Sequence, residues 1–156
     1  MIKNNFLNIL IVLFILFLSR ILPHPPNFTP ILSVTILSFI LFKDKILGIA
    51  VVLISMFLTD IVLGFHTYQL VVYLALIFIG LFAPKLKNNG KLLLISVAGS
   101  VWFYLATNFA VWIIWDFYDK SFEGLILCYT LALPFFGNTM ISTILFTGIL
   151  TYLTKY

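Results

Sequence analysis

The side chains best able to bind a ligand are concentrated in one short stretch, residues 20–30, which reads RILPHPPNFTP. The stretch holds a guanidinium (Arg20), an imidazole (His24) and an amide (Asn27), all groups that form hydrogen bonds with small organic molecules. Its prolines remove backbone donors and forbid a regular helix. We therefore predict a stiff connector that forms the floor or wall of a small-molecule site. The alternative is a rigid loop whose arginine reaches toward lipid headgroups.

Further polar and aromatic groups interrupt the apolar runs of the sequence at Asp60, Asn108, Trp112 and Asn138. Polar groups placed in lipid are costly, and they usually face a cavity or a partner. When the helices are laid out as described below, these positions fall near the same end of the spans as the proline-rich stretch. This clustering predicts one pocket that opens on that side.

Each of these residues also has a structural explanation, which stays open at this point. Asp60 is suited to an ion pair with Arg20, and Asn108 and Asn138 are suited to hydrogen bonds between helices. Trp112 stands where an interfacial aromatic belt belongs. A further alternative is a soft-metal site, formed by convergence of His24, His66 and Cys128.

Composition places these residues in a membrane protein. The 156 residues are 63% hydrophobic and 9% charged, whereas a water-soluble domain carries about a quarter charged residues. The apolar runs lack the two-residue alternation of a transmembrane barrel. We therefore predict an all-α integral membrane protein with a single transmembrane domain over residues 1–156. Its six expected spans are residues 5–19, 29–42, 46–64, 68–83, 92–115 and 138–153, with a Pro-rich loop after the first.

The segment 124–133 is apolar but too short to cross a bilayer, and Pro134 follows it. We expect a short re-entrant or peripheral helix there, before the sixth span. The lysines then collect on one side, which the positive-inside rule assigns to the cytoplasm together with both termini. That side holds Lys3, Lys43, Lys45, Lys85, Lys87, Lys91 and Lys155.

Several classes of function lack their sequence signals. The net charge of +4 comes from lysines in short clusters between apolar runs, so it does not indicate nucleic-acid binding. The sequence contains no phosphate-binding loop, so it cannot energise transport by itself. No nucleophile and base stand at a defined spacing, which argues against an intramembrane enzyme built on His24, Asp60 or Cys128. A single cysteine excludes an internal disulfide. We expect no cofactor and no bound metal.

Four sequence blocks carry a resemblance to a known family. They are RILPHPPNFTP, FLTDIVLG at the end of span three, TNFAVW in span five and CYTLALPFFGNT before span six. Together they resemble a bacterial family of unknown function whose members are identified as candidate substrate-binding (S) components of energy-coupling-factor (ECF) transporters. The blocks extend over residues 20–139, and the first is long and the most specific.

The resemblance implies a compact six-helix protein of the bacterial cytoplasmic (inner) membrane that captures a vitamin or related micronutrient from outside. It implies as partners the lipid bilayer, a membrane T subunit and ATPase subunits. S components commonly meet the T subunit through an A-x-x-x-A stripe on their first helix, but span one contains no alanine. Transport without a T subunit therefore stays open. The substrate-binding positions carried over are Arg20, His24, Asn27, Asp60, Asn108, Trp112, Cys128, Tyr129 and Asn138.

The function expected from the sequence is thus that of a substrate-binding membrane subunit whose site opens to the extracytoplasmic side. Stacking on Trp112 and hydrogen bonds from Asn27, Asn108 and Asn138 would suit a flat heterocyclic vitamin, and Arg20 would suit its carboxylate or phosphate. The competing expectation is a structural or assembly membrane protein, in which the polar residues only hold helices together.

Overall fold

A computed structural model gives the fold, and it describes residues 5–42, 44–83 and 88–153. Within these ranges the protein is all-helical, as the sequence predicted. It has six helices, α1 (Asn5–Ile21), α2 (Ile31–Leu41), α3 (Lys45–Leu63), α4 (Gln69–Phe82), α5 (Asn89–Ile114) and α6 (Phe122–Leu153).

Local sequence signals account for several helix ends. The Asp44 side chain accepts a hydrogen bond from the Ile46 amide at the start of α3, and Asn88 caps the start of α5 in the same way. Such side chains satisfy amides that have no partner inside the helix. Gly64 follows α3 with a φ of 97°, a conformation that side chains with a Cβ rarely adopt.

The shortest helix, α2, lies at the centre of the fold. It packs against each of the other five helices, and all its residues from Leu32 to Ser38 are buried. Its 11 residues extend about 16 Å, roughly half the thickness of a bilayer core. Because α2 is central but short, the volume beyond its first residue, Ile31, must be filled by other segments or left open.

The surface and interior have the distribution expected in lipid rather than in water. Buried side chains include many hydroxyls, among them Ser33, Ser100 and Thr143, while large apolar side chains such as Phe14 and Leu94 are exposed. Three helices, Lys45–Leu63, Asn89–Ile114 and Phe122–Leu153, are long and apolar enough to cross a membrane. These features indicate membrane association. Crossing by all six helices, and the orientation of the termini, remain predictions.

The expected break before the sixth span is wrong. Phe122–Leu153 is one continuous helix of 32 residues with Pro134 inside it, so residues 124–133 form neither a re-entrant nor a separate peripheral helix. Proline removes one backbone hydrogen bond. In an apolar environment, however, leaving the helix would expose many more unsatisfied groups. Contacts to α5 before Pro134 and to α2 after it hold both halves in place.

Candidate functional site

A cavity of about 570 Å³ lies beyond the N-terminal end of α2. Ile31 at the start of α2 lines it, and the connecting segments after α1, α3 and α5 all contribute residues. Its polar and aromatic lining includes Arg20, His24, Asn27, Thr29, His66, Tyr68, Tyr104, Thr107, Asn108, Tyr118, Cys128 and Thr139. The structure therefore brings five of the nine predicted residues to one cavity: Arg20, His24, Asn27, Asn108 and Cys128.

Arg20 reaches the cavity from the last turn of α1 and is paired with Asp60 on α3. Its Nη1 lies 2.6 Å from Asp60 Oδ1 and also donates to the Met56 carbonyl at 3.2 Å and to the Thr59 hydroxyl. Asp60 is fully buried, whereas the Arg20 side chain is 15% exposed. Asp60 is therefore the buried counter-ion of Arg20, and it lies behind the arginine rather than on the cavity wall.

A second helix holds the other oxygen of Asp60. The Tyr73 hydroxyl on α4 donates to Asp60 Oδ2 at 2.5 Å, and Gln69 Nε2 donates to the same hydroxyl oxygen at 2.7 Å. The carboxylate thus joins α1, α3 and α4. A buried ion pair is tolerated when hydrogen bonds satisfy its remaining lone pairs, and this network fixes the position of the guanidinium.

The proline-rich segment is held over the cavity by a turn and by a contact from α6. The Phe28 amide donates to the Pro25 carbonyl at 3.0 Å, and Asn27 has a φ of 61°, a left-handed conformation that asparagine tolerates better than most residues. Asn138 Nδ2 donates to the Pro26 carbonyl at 2.9 Å. Asn138 therefore positions the segment and does not line the cavity.

Asn108 and Cys128 form the wall made by α5 and α6. The amide nitrogen of Asn108 donates one of its two hydrogens to the Tyr104 carbonyl one turn earlier at 2.8 Å, which leaves its side-chain oxygen as an acceptor for a ligand. Cys128 is 1% exposed, and its thiol lies 3.5 Å from the Asn108 carbonyl. Both residues thus shape this wall, and the side-chain oxygen of Asn108 is an acceptor on it.

Two predicted aromatic residues lie outside the cavity lining. The Trp112 indole donates to the Asp119 carbonyl at 2.9 Å, and the Tyr129 hydroxyl donates to the Leu105 carbonyl at 2.8 Å. Both therefore tie α5 to the segment that follows it or to α6. Lys120 donates to the Trp112 and Trp115 carbonyls, which closes the same turn.

Sequence reasoning missed the aromatic residues that do line the cavity on α5 and α6. Tyr104 and Phe136 have ring centroids 4.7 Å apart, and both face the cavity. Thr107 and Asn108 lie one turn after Tyr104 on α5, and residues three and four apart share one helix face. That spacing could have identified Tyr104 and Thr107 once Asn108 was suspected.

The segment between α3 and α4 adds two ring side chains to the cavity wall. His66 and Tyr68 have ring centroids 4.5 Å apart. Partial burial lowers the pKa of His66 from its ordinary value, an effect that the positive charge of Arg20 reinforces and the negative charge of Asp60 opposes. Burial also raises the pKa of Tyr68. Both rings are therefore neutral near pH 7.

The alternative metal site formed by His24, His66 and Cys128 is not found within the described ranges. Across residues 5–42, 44–83 and 88–153, no group of three or more His, Cys, Asp or Glu side chains is arranged to hold a metal ion. The imidazole of His24 instead lies with Nδ1 2.9 Å from the Pro25 carbonyl.

A smaller cavity, of about 360 Å³, lies near the start of α5 and the end of α6. A row of threonines on α6 connects the two cavities in sequence. Thr139 lines the larger cavity, Thr147 and Thr151 line the smaller one, and Thr143 is fully buried between them. Ser96 on α5 donates to the Thr147 hydroxyl at 3.2 Å. Hydroxyl groups therefore recur along α6 from one cavity to the other.

Comparison with known proteins shows a family but no characterised relative. No curated protein matches the chain, and no solved structure matches it. A family model, described as a family of unknown function, matches residues 1–156, which is the whole chain. The chain therefore belongs to this family, DUF6580.

Proposed function

We propose that this protein is a substrate-binding membrane subunit of the S-component type, which takes up a vitamin or related micronutrient across the bacterial inner membrane. In this proposal all six helices are embedded in the bilayer, both termini are cytoplasmic, and the large cavity opens to the extracytoplasmic side. No chemical reaction is assigned to the site.

The observation that carries the proposal is the cavity itself. Its volume of about 570 Å³ falls in the range of small-molecule sites, roughly 300–1,000 Å³. Its wall combines aromatic rings with a few convergent polar groups, as such sites do. Three connecting segments contribute to its wall, and segments outside regular helices can move to admit and cover a ligand.

The hydroxyl groups along α6 support a transport role over simple binding. A substrate leaving the cavity inward must pass polar groups without entering lipid. Thr139 lines the larger cavity and Thr147 lines the smaller one. Thr143 lies between them on α6, one turn from each. Thr143 is fully buried, so inward release of a substrate would require α5 and α6 to shift or the whole protein to tilt. The same proposal includes a membrane T subunit and ATPase subunits as the partners that would drive this change.

The experiment is a ligand screen on the purified protein in detergent. Thermal unfolding is followed by tryptophan fluorescence in the presence of a panel of vitamins and their precursors, charged and neutral. We expect at least one compound to raise the unfolding temperature in a concentration-dependent manner, because a ligand that binds only the folded state stabilises it. If no compound of the panel does so, the binding role fails.

A matched pair of variants locates the binding site. Ala132 lines the cavity and is 7% exposed, so Ala132→Phe fills part of the ligand volume. Its neighbour Leu133 does not line the cavity and is 52% exposed on the helix surface, so Leu133→Phe is the control. The first variant should lose the ligand-induced shift and the second should keep it.

A structural or assembly role is the second candidate, and one observation favours it. The polar atoms of several predicted site residues already have protein partners: Asp60 pairs with Arg20, Asn138 with Pro26, and Tyr129 with Leu105. If these bonds only hold helices together, Asn108→Ala should lower stability by the same amount with and without every compound of the panel. A transport protein should instead lose ligand-dependent stabilisation.

A further inference from the structure

The guanidinium of Arg20 uses only one of its nitrogens to contact the protein. Nη1 makes the ion pair with Asp60 and the contacts with the Met56 carbonyl and the Thr59 hydroxyl. Nε and Nη2 have no hydrogen-bond partner among the residues that the structure describes. Since Arg20 also lines the cavity, this free edge is available to a ligand.

The geometry of that edge favours a carboxylate. Two parallel N–H groups of a guanidinium match the two oxygens of a carboxylate in a bidentate pair. Arg20 is the only arginine in the sequence, and the described lining of the cavity contains no lysine and no carboxylate of its own. Asp60 already balances the charge of Arg20, and no second cation stands in the described lining, so a single negative charge is accommodated more readily than the double charge of a phosphate monoester.

The rest of the cavity selects the body of the ligand. Tyr104 and Phe136 present two rings whose planes are inclined at 37° with centroids 4.7 Å apart. Aromatic rings prefer offset or tilted contact with other rings. Asn108 adds an acceptor oxygen on the same wall, and the Tyr104 carbonyl uses one of the two hydrogens on its amide nitrogen. A flat ring with a hydrogen-bond donor therefore fits beside the carboxylate.

We propose that the cavity binds an aromatic or heteroaromatic monocarboxylic acid, whose carboxylate pairs with the free edge of Arg20 while Asp60 holds the opposite side of the guanidinium. This inference rests on the proposed uptake function and names its substrate class. Asp60 and Tyr73 act as positioning residues, since Asp60 pairs with Arg20, Tyr73 donates to Asp60, and neither lines the cavity.

The test compares acids with their own amides, which differ in charge and hardly in shape. The probes are nicotinate and nicotinamide, benzoate and benzamide, and 4-aminobenzoate and 4-aminobenzamide, with binding to the detergent-purified protein measured by calorimetry and thermal unfolding. We expect at least one acid to bind, with its amide about tenfold or more weaker, because a hydrogen-bonded charge contributes more than a neutral group.

Two variants separate the role of the guanidinium from a general effect of charge. Arg20→Lys keeps a cation beside Asp60 but loses the bidentate fork, so it should weaken the acid about tenfold and leave its amide unchanged. Lys120→Met removes a nearby cation that does not line the cavity, and it should change neither affinity. The wild-type comparison of acid with amide stands by itself if Arg20→Lys fails to fold.

The outcomes distinguish this inference from the function on which it rests. Equal binding of acid and amide, or binding of amides alone, overturns the carboxylate assignment and leaves a small-molecule binding role intact. Loss of acid binding in Lys120→Met that matches the loss in Arg20→Lys also overturns it. If neither the acids, the amides nor the vitamin panel binds, the uptake function fails as well.

Discussion

Replacing Arg20 with methionine isolates the energy of the buried ion pair. The substitution removes the guanidinium and retains an unbranched apolar side chain along α3. It leaves Asp60 fully buried, with the Tyr73 hydroxyl at 2.5 Å as its remaining hydrogen-bond donor. Asp60 then lacks its counter-ion, and water that enters from the cavity replaces only part of the lost interaction, so we expect the folded state to be destabilised.

The expected loss of stability depends on how deeply each member of the ion pair is buried. Removing one partner of a buried ion pair costs about 3–5 kcal/mol. The Arg20 side chain is 15% exposed, so water entering from the cavity places Arg20→Met near the lower end, at about 3 kcal/mol. Asp60→Asn leaves the guanidinium facing the same water and should cost about 1 kcal/mol. The double variant removes both charges and should also cost about 1 kcal/mol.

The assay is equilibrium unfolding in mixed detergent micelles, with stability measured for the wild type, both single variants and the double variant. The double-mutant cycle should give a coupling energy of about 3 kcal/mol. A cost below about 1 kcal/mol for Arg20→Met, together with additive single variants, would mean that the pair is solvated. The description of Asp60 as a buried counter-ion would then be wrong.

Three further predictions concern other parts of the fold. Gly124→Ala should destabilise by about 1–3 kcal/mol, because its Cβ would lie 2.0 Å from the Asp119 carbonyl oxygen; Gly137→Ala, with nothing within 4 Å of its Cβ, should be neutral or stabilising in the same thermal assay. Asn138→Ala should increase hydrogen exchange in residues 22–30 and lower stability by about 1 kcal/mol, since it removes the bond to Pro26; unchanged exchange would contradict its positioning role. Because burial lowers the pKa of His66 in the folded state, stability should fall as the pH drops below the unfolded value of about 6.5. His66→Gln should lack the part of this decline that comes from His66. Identical curves of stability against pH for the wild type and the variant would refute the lowered pKa of His66.

Most of the helical architecture could be predicted from composition and from the spacing of apolar residues. Apolar runs separated by Asp44, Gly64 or Asn88 indicate where helices begin and end, because capping and positive φ depend on local residue type. The misplaced boundary was at Pro134. There a local rule about proline was overridden by packing on both sides of α6 and by the cost of unsatisfied backbone groups in lipid.

The candidate site could be predicted only in part. His24 and Asn27 were recognised as polar groups among prolines, and Arg20 as a charged group at the end of an apolar run. Trp112 and Tyr129 were among the positions carried over from the resemblance, yet the Trp112 bond holds α5 to Asp119 and the Tyr129 bond holds α6 to Leu105 on α5. Which face of a helix meets a cavity depends on how neighbouring helices rotate, and a single helix sequence with weak amphipathicity does not specify that rotation.

The sequence by itself determined that this protein is helical and suited to lipid, because a chain with 9% charged residues cannot cover its surface with polar groups. It also determined that Arg20 needs a partner, since an arginine next to apolar helices is costly when unpaired. Tertiary structure decided between the two roles that the sequence left open for Asp60, and it alone decided that Tyr104 and Phe136 face the cavity and that Trp112 does not. Those outcomes depend on the central position of the short helix α2, around which the other five pack and beyond whose first residue the cavity remains open.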